Sequence, residues 1–306
     1  MTLQQLNYII AVDNERHFAR AAEACHVTQP TLSMMIQKLE EEMDLQIFDR
    51  SKQPVMPTSE GIQLIEQARV ILQEVGKFKD IGASVKDTIA GELRVGIIPT
   101  LASYLMPLFI SDFLEKYPLV KLIVEEINTQ NIIESLKKGS LDVGILATPL
   151  HESSLLEQAI FYEEFYLYTP QAQQKNYIVP EDINPNELLL LEEGHCLRGQ
   201  VINLCELRRS EDKQLVYQSG SLETLIHLVD SQQGITILPE LAALRLDKER
   251  QKQLTRFQKP SPVREISLVK HRNFVKSRLI EVLGEEILSH LPKALKKKKE
   301  MLVVEL

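Results

Sequence analysis

The chain has 306 residues, of which 44% are hydrophobic and 25% charged, and its 35 basic and 43 acidic side chains give a net charge of −8. These values are typical of a globular protein of about two domains and exclude collagens, coiled-coil fibres and disulfide-rich mini-proteins. No apolar run approaches the ~18 residues that would span a bilayer, which predicts no membrane association. Because the first residues do not resemble a secretory signal, we expect a cytoplasmic location, and free thiols at the three cysteines.

Two helices are predicted at the start of the chain. Apolar residues within 3–12 recur on one helical face, and Phe18–Cys25 is a second, short, alanine-rich helical segment. The small side chains of Ala21 and Ala22 permit the close approach of another helix. A third helix follows, with Thr28 as its predicted N-cap and Pro30 in its first turn.

The third helix has an apolar face and a polar face. Its predicted core residues are spaced four, three and four positions apart: Leu32, Ile36, Leu39 and Met43. The residues left to point away from the core are Gln29, Thr31, Ser33, Met34, Gln37 and Lys38. A short helix, a tight turn and a polar, capped helix predict a helix-turn-helix, whose second helix fits the major groove of double-stranded DNA.

A short hairpin is predicted next, from Ile47–Arg50 and Val55–Thr58, as a wing in which Arg50 meets a phosphate. The alternative is a plain three-helix bundle, and the charge favours that alternative. Residues 1–60 hold five basic and nine acidic residues, a net of −4, so one copy attracts phosphates only weakly. DNA binding then requires two or more copies at each site.

The order and spacing of these motifs is similar to that of the winged helix-turn-helix of LysR-type transcriptional regulators. The motif residues are Ala21-Ala22, Thr28-Gln29-Pro30, Leu32-Ser33, Ile36, Leu39-Glu40, Phe48, Arg50, Thr58 and Gly61. The resemblance implies a DNA-binding domain over residues 1–58. The DNA-binding residues that it implies are Gln29, Pro30, Thr31, Ser33, Gln37, Lys38 and Arg50.

Residues 59–88 form one long helical pattern without proline. The segment resembles the linker helix through which two subunits of that family pair, and at 1.5 Å per residue it would extend roughly 45 Å. We expect residues 59–90 to contain this dimerisation helix and a hinge. The protein is then expected to form a homo-oligomer, either a dimer or a dimer of dimers (a tetramer).

From Gly91 onward, apolar runs of strand type alternate with helical patterns, which predicts mostly parallel sheets covered by helices. The predicted strands are Leu93–Ile98, Val120–Glu125, Asp142–Leu146, Phe165–Tyr168, Leu188–Leu191, Gln214–Gln218, Gly234–Leu238 and Glu265–Val269. The predicted helices are Ser103–Lys116, Asn131–Lys138, Ser221–Ser231 and Val275–His290. The five lysines of Lys293–Lys299 indicate a solvated, frayed end.

The family resemblance implies an α/β multidomain protein whose regulatory domain, residues 91–306, is similar to periplasmic binding proteins. Two chain crossings are expected, near Phe161–Glu164 and Pro260–Glu265. They divide the domain into subdomain I, residues 91–162 and 266–306, and subdomain II, residues 163–265.

Two cysteines lie nine positions apart, in Gly194–Arg198 and at Cys205. On spacing alone they are two unrelated buried thiols, and the spacing does not fit a zinc ligand pair. The positions of Leu197, Val201 and Leu204 predict a short helix between them. A regular helix would separate the two Cα atoms by about 13.5 Å, whereas a disulfide requires roughly 4.4–6.8 Å. A helix through 196–205 and a Cys196–Cys205 bond therefore exclude each other.

The sequence around Cys196 favours thiol chemistry, because the thiolate is the nucleophile and nearby positive charge stabilises it. His195 and Arg198 are its neighbours in sequence. Attack on a peroxide bond gives a sulfenic acid, which a second thiol converts into a disulfide.

These segments are similar to those of the hydrogen-peroxide-sensing members of the LysR-type family. The matching stretches are Gly96–Thr100, Gly194–Arg198, Cys205, Ser221–Leu225 and Gly234–Pro239. The resemblance implies that Cys196 is the peroxidatic thiol and Cys205 the resolving thiol. It also implies a peroxide pocket formed by Thr100, Thr129, His195 and Arg264. On the residues alone, Thr100 and Thr129 are ordinary strand-end or helix-capping threonines, and His195 is a structural hydrogen-bonding residue.

The sequence therefore predicts a transcription factor that responds to hydrogen peroxide and needs no cofactor or metal. Its expected partners are promoter DNA, peroxide, further copies of the chain and RNA polymerase. One alternative is a LysR-type regulator of a small carboxylate whose cysteines are incidental. A thiol peroxidase is a second alternative, and it leaves the helix-turn-helix unexplained.

Overall fold

The structure is a computed structural model that describes residues 1–84, 89–171, 175–205, 220–272, 274, 277–295 and 301–306. It divides into two compact units. One contains Met1–Thr88 with Asn273–Lys276, and the other contains Ile89–Arg272 and Ser277–Leu306.

The first unit is a winged helix-turn-helix followed by a long helix. Its elements are α1 (Leu3–Glu15), α2 (Phe18–Ala24), α3 (Gln29–Met43), β1 (Phe48–Asp49), β2 (Met56–Pro57) and α4 (Ser59–Ser84). Thr28 caps α3 as predicted, because its side chain accepts a hydrogen bond from the Thr31 backbone N–H. The antiparallel pair β1–β2 is the predicted wing.

Apolar residues from all four helices and the wing form the core of this unit. They include Leu6, Ile9, Val12, Leu32, Ile36, Leu39, Ile47, Phe48, Ile65 and Ala68. The predicted core residue Met43 is only partly buried and packs against the others. The 26 residues of α4 correspond to about 39 Å of helix. The predicted linker residues 85–88 lie outside the described part of the chain.

The second unit begins with two strand–helix repeats. Its first elements are β3 (Gly91–Ile97), α5 (Pro99–Lys116), β4 (Val120–Glu126), α6 (Thr129–Lys138) and β5 (Val143–Thr148). Strand β3 pairs in parallel with both β4 and β5. The carboxyl ends of these strands therefore meet at one edge of the sheet, where α5 and α6 begin.

The remaining strands extend this sheet, and the remaining helices lie between them along the chain. The strands are β6 (Leu155–Tyr168), β7 (Tyr177–Ile178), β8 (Thr236–Pro239), β9 (Leu254–Phe257), β10 (Ser261–His271) and β11 (Met301–Val303). The helices are α7 (Cys196–Leu204), α8 (Leu222–Asp230), α9 (Glu240–Arg245), α10 (Lys248–Gln251) and α11 (Ser277–His290), with a 3₁₀ turn at Pro180–Asp182. The strand order is β4-β3-β5-β10-β6-β9-β7, with β11 on β10 and β8 on β6.

The long strands β6 and β10 are antiparallel partners, and they contain Phe161–Glu164 and all but the first residue of Pro260–Glu265, the segments in which the crossings are expected. Strand β10 pairs with β5 through Glu265–Val269, whereas β6 pairs with β8 and β9 through its last residues. Strand β6 therefore pairs with β10 along most of its length and with β8 and β9 at its end.

Two predicted strands have a different outcome. Leu188–Leu191 is not a strand: Leu188 forms an isolated bridge with Ile235, and the two residues that follow it do not extend the pairing into a ladder. Gln214–Gln218 lies outside the described residues. The lysine-rich run is described only through residue 295, but Met301–Val303 beyond it pairs with β10. In the described ranges no helix is both long enough and apolar enough to cross a bilayer.

Candidate functional site

Cys196 is the first residue of α7, and His195 is the N-cap of that helix. Its thiol is free, as are those of Cys25 and Cys205. Leu197 and Val201 bury one face of α7, which confirms the short helix predicted from their spacing. Cys205 is the C-cap residue, and its backbone N–H donates to the Val201 carbonyl oxygen at 3.1 Å. The two cysteines thus lie at opposite ends of an intact helix, about 13.5 Å apart along its axis.

The surroundings of Cys196 come from the carboxyl edge of the parallel strands. Thr100 lies in the first turn of α5 after β3, and Thr129 is the first residue of α6 after β4. Ala147 lies near the end of β5, and its backbone is near enough to the Cys196 sulfur to lower the thiol pKa. The carboxyl edge of parallel strands, where helices start, is the common location of ligand sites in α/β proteins.

Burial raises the pKa of the Cys196 thiol above its ordinary value, although part of the residue stays exposed. Opposing this, the Arg264 charge, the Thr129 hydroxyl and backbone hydrogen bonds from Leu197 and Ala147 lower the pKa. The desolvation effect is the largest, so the pKa of the Cys196 thiol is raised on balance, which disfavours the thiolate.

Arg264 is completely buried and connects Thr100 to an acidic residue. Its Nη1 donates to Thr100 Oγ1 at 2.9 Å, and its Nη2 donates to the Thr100 carbonyl oxygen at 3.2 Å. Its Nε donates to Glu163 Oε2 at 2.7 Å. Glu163 was not predicted as a site residue. The available signal was a glutamate on one expected crossing and an arginine on the other, and these two residues are direct partners in the β6–β10 register.

Thr129 presents a buried polar atom without a partner. Its Oγ1 makes no well-aligned hydrogen bond within the described residues, although the hydroxyl is near enough to the Cys196 sulfur to lower the thiol pKa. A buried hydroxyl that lacks a partner is costly unless something else binds it. It is therefore available to a small ligand beside the sulfur.

The side chains of His195 and Arg198 make different contacts. The His195 side chain is 8% exposed, and its Nε2 lies 3.7 Å from Glu192 Oε1. Arg198 Nη1 donates to the Leu191 carbonyl oxygen at 2.8 Å. The strongest positive influence on Cys196 comes from Arg264 on a distant strand, not from the sequence neighbour Arg198.

The environment of Cys205 is less favourable to a thiolate. Burial, with a smaller contribution from the charge of Glu181, raises the pKa of this thiol to about 11. In this helical form Cys205 is therefore a poor nucleophile. Among the described residues, no group of three or more His, Cys, Asp or Glu is arranged to hold a metal ion.

Helix α7 also contacts the C-terminal segment, which the sequence did not predict. Gln200 Nε2 donates to the Val304 carbonyl oxygen at 3.1 Å, and Asn203 Nδ2 donates to that of Glu305 at 3.2 Å. A Cβ at Gly199 would lie 3.5 Å from the Leu306 carbonyl carbon. The segment therefore packs along the helix between the two cysteines.

The predicted DNA-binding residues lie on α3 and the wing. The exposed ones are Gln29, Pro30, Thr31, Gln37 and Lys38, and Ser33 is half-buried. Arg50 donates to Glu40 Oε2 at 2.8 Å and to Ser33 Oγ at 3.3 Å, and its guanidinium lies 5.1 Å from the Phe18 ring centroid. The Arg50 side chain remains 40% exposed.

Comparison with known proteins shows the family. Residues 3–62 match the bacterial regulatory helix-turn-helix protein, lysR family, and residues 86–292 match the LysR substrate binding domain. The DNA-binding transcriptional dual regulator OxyR of Escherichia coli K12 is 35% identical, over 97% of this chain and 99% of its own. The hydrogen peroxide-inducible genes activator of Pectobacterium carotovorum is 34% identical, over 95% of this chain and 97% of its own.

Solved structures agree with these sequence matches. A full-length OxyR from Pseudomonas aeruginosa, carrying a cysteine-to-aspartate substitution, has a TM-score of 0.78 at 35% identity, over 95% of this chain and 99% of that one. An H₂O₂-bound cysteine-to-serine variant of Corynebacterium glutamicum OxyR has a TM-score of 0.61 at 27% identity, over 94% of this chain and 92% of that one. The chain belongs to the LysR family of bacterial helix-turn-helix regulatory proteins, and within that family it resembles OxyR.

Proposed function

We propose that this protein regulates transcription from promoter operators and senses hydrogen peroxide through a reversible Cys196–Cys205 disulfide. The observation that carries the proposal is the intact helix α7, which has a free thiol at each end. A bond between these thiols requires the helix to refold, so an oxidant is converted into a change of conformation.

The first chemical step takes place at Cys196. Its sulfur, as the thiolate, attacks one oxygen of hydrogen peroxide; the O–O bond breaks, hydroxide leaves and takes up a proton as water, and the sulfur becomes a sulfenic acid. Thr100 and Thr129 hold the two peroxide oxygens, because a hydroxyl can both donate and accept a hydrogen bond. Arg264 stabilises the negative charge, and His195 completes the pocket.

The second step joins the two cysteines. The Cys205 sulfur attacks the sulfenic sulfur, the S–O bond breaks, and the leaving hydroxide becomes a second water. Two thiols are thereby oxidised to one disulfide, and one peroxide is reduced to two waters. A dithiol reductant restores the resting state by thiol–disulfide exchange. Because the protein signals rather than turns over substrate, we assign it no enzymatic activity.

Formation of the disulfide rearranges the oligomer on DNA. Helix α4 pairs two copies, and two pairs form a dimer of dimers. Gln29, Pro30, Thr31, Ser33, Gln37 and Lys38 enter the major groove, while Arg50 contacts a phosphate. Repacking of residues 197–204 shifts the interface between regulatory domains, changes the spacing of the DNA-binding domains, and alters contact with RNA polymerase.

Peptide mapping tests the proposal directly. Trypsin cleaves after Lys175, Arg198 and Arg208, so the bridge joins peptide 176–198 to peptide 199–208. After one equivalent of peroxide we expect this cross-link in the wild type and in Cys25→Ser, the matched control. We expect no cross-link in Cys196→Ser, and a persistent sulfenic acid on Cys196 in Cys205→Ser. A wild-type chain that forms no cross-link contradicts the proposal.

The same samples separate the proposal from the carboxylate alternative. A ligand that binds only the native state raises the melting temperature. A melting temperature raised by a small carboxylate, together with an unchanged operator footprint after peroxide, identifies a metabolite regulator with incidental cysteines. A footprint that changes with peroxide and is lost in Cys196→Ser supports the redox switch.

A further inference from the structure

We propose that Glu163 is a positioning residue for the peroxide reaction: it fixes Arg264 so that Arg264 holds the Thr100 hydroxyl as a hydrogen-bond donor toward peroxide. The inference rests on the proposed function, since it assigns a role in the same reaction. Glu163 itself acts through Arg264 and Thr100.

The contacts of Glu163 are complete and specific. Its side chain and that of Arg264 are both fully buried, and Oε2 of Glu163 lies 2.7 Å from both Nε and Nη2 of Arg264. Its other oxygen, Oε1, accepts the backbone N–H of Leu241 at 2.9 Å. Because a buried guanidinium must be paired, this carboxylate determines where Arg264 can lie.

Arg264 in turn determines the direction of the Thr100 hydroxyl. A hydroxyl has one proton to donate and two lone pairs to accept with. Thr100 Oγ1 already accepts a hydrogen bond from Arg264 Nη1, and the Thr100 carbonyl oxygen accepts from Nη2. The guanidinium thus donates hydrogen bonds to two atoms of Thr100. The hydroxyl proton of Thr100 is left to be donated elsewhere, at the edge of the sheet where Cys196 lies.

If Glu163 positions Arg264, its loss should slow the oxidation of Cys196 by peroxide, whereas a role through charge alone predicts a faster oxidation. These opposite expectations make the inference testable. Glu163 partly neutralises Arg264, and the Arg264 charge lowers the Cys196 pKa. If Glu163 acted only through charge, Glu163→Gln would strengthen that influence and speed the reaction. If Glu163 positions Arg264, the loss of the ion pair misplaces Thr100 and slows the reaction despite a lower thiol pKa.

The experiment compares two reagents on the full-length protein. Peroxide requires the oriented Thr100, whereas iodoacetamide alkylation of Cys196 reports only thiolate content and access. We expect Glu163→Gln to slow the oxidation of Cys196 by peroxide about ten- to a hundredfold and to leave alkylation equal or faster. The matched control is Glu286→Gln, which alters another buried carboxylate, one that pairs with Lys116. It should change neither rate.

A second variant tests whether Glu163 acts through Thr100. In a Thr100→Val background the hydroxyl is absent, so adding Glu163→Gln should cost little further rate, and the two effects should be strongly non-additive. Additive effects, or equal losses with both reagents, overturn the inference. If Glu163→Gln does not fold, Arg264→Lys tests the same link, because an ammonium keeps the charge but cannot hold both partners. An unchanged peroxide rate in that variant also overturns the inference, whereas failure of the proposed function appears as a wild-type protein inert to peroxide.

Discussion

Gln200, in the middle of α7, donates a hydrogen bond of 3.1 Å from its Nε2 to the carbonyl oxygen of Val304. This bond ties the helix between the two cysteines to the C-terminal segment, which is itself held by the parallel pairing of β11 with β10. The Val304 N–H completes the attachment by donating to the Val263 carbonyl oxygen at 2.9 Å. The segment therefore stabilises the helical, unbridged form of α7.

Removing residues 301–306 should make the switch easier to trigger. Without the Val304 and Glu305 carbonyl oxygens, Gln200 and Asn203 lose their partners, and refolding of α7 costs less free energy. We expect the cross-link to form at a lower peroxide dose than in the wild type, measured by peptide mapping across a titration. Glu305→Ala keeps the backbone carbonyl and is the control; a truncation that behaves like this control argues against the contact.

The rate of the first step should depend on pH in a direction set by burial. Because desolvation is the largest influence on the Cys196 thiol and raises its pKa, we expect little thiolate near pH 7. The initial rate with peroxide should rise about tenfold for each pH unit and level off only above the thiol pKa. Stopped-flow measurements between pH 6 and pH 10 test this, with Cys205→Ser used to isolate the first step. A rate that is already constant from pH 6 shows that the thiol is ionised at rest.

Lys38 should contact a backbone phosphate at the rim of the major groove that α3 enters, in addition to the phosphate contact of Arg50. It is exposed on α3 and forms no ion pair within the residues that the structure describes. Lys38→Ala should weaken binding to operator and random DNA alike and reduce the slope of log K against log salt by about 0.9 per subunit. Lys137→Ala removes an exposed lysine from the other unit, one paired with Glu152, and should leave the slope unchanged. Equal slopes for Lys38→Ala and wild type contradict the contact.

Glu40 should determine both the stability of the winged unit and the position of Arg50. Its buried carboxylate accepts hydrogen bonds from the Ile47 N–H at 2.8 Å, the Phe48 N–H at 3.3 Å and the Arg50 side chain at 2.8 Å. Glu40→Gln should lower the free energy of unfolding by about 2 kcal/mol and weaken operator binding. The measurements are urea denaturation and fluorescence anisotropy. Glu42→Gln, at an exposed residue, is the control, and equal stability of the two variants refutes the role.

Much of the fold could be predicted from local signals. The Thr28 cap, the spacing of Leu32, Ile36 and Leu39, and the apolar runs of β3 and β4 are all sequence-local, and the structure confirms them. The first ten residues of β6 were missed, since Glu157, Gln158 and Glu163 interrupt the apolar pattern. Their pairing comes from β10, about one hundred residues away, which a local pattern cannot reveal.

Some residues of the candidate site could likewise be identified from the sequence, whereas others are recognised only from tertiary contacts. The two cysteines and Thr100 stand in recognisable motifs, and the family resemblance also named Thr129; the roles of all four residues remain a proposal. Adjacency in sequence pointed to His195 and Arg198, whereas the resemblance also named Arg264. Arg264 is the cation that acts most on Cys196, because strand pairing brings a distant charge closer than adjacency does. Glu163 and the C-terminal segment matter through tertiary contacts alone.

Hydrogen exchange across residues 197–205 reports whether α7 refolds when the disulfide forms, because helical amides are protected only while the helix is formed. The Cys205 N–H, for example, donates to the Val201 carbonyl oxygen at 3.1 Å in the unbridged protein. The measurement compares the reduced protein with the same protein after peroxide, once peptide mapping has verified the Cys196–Cys205 bridge. We predict that the amides from Gln200 to Cys205 are protected in the reduced form and lose that protection in the bridged form. Equal protection in both forms, with the bridge present, would contradict it.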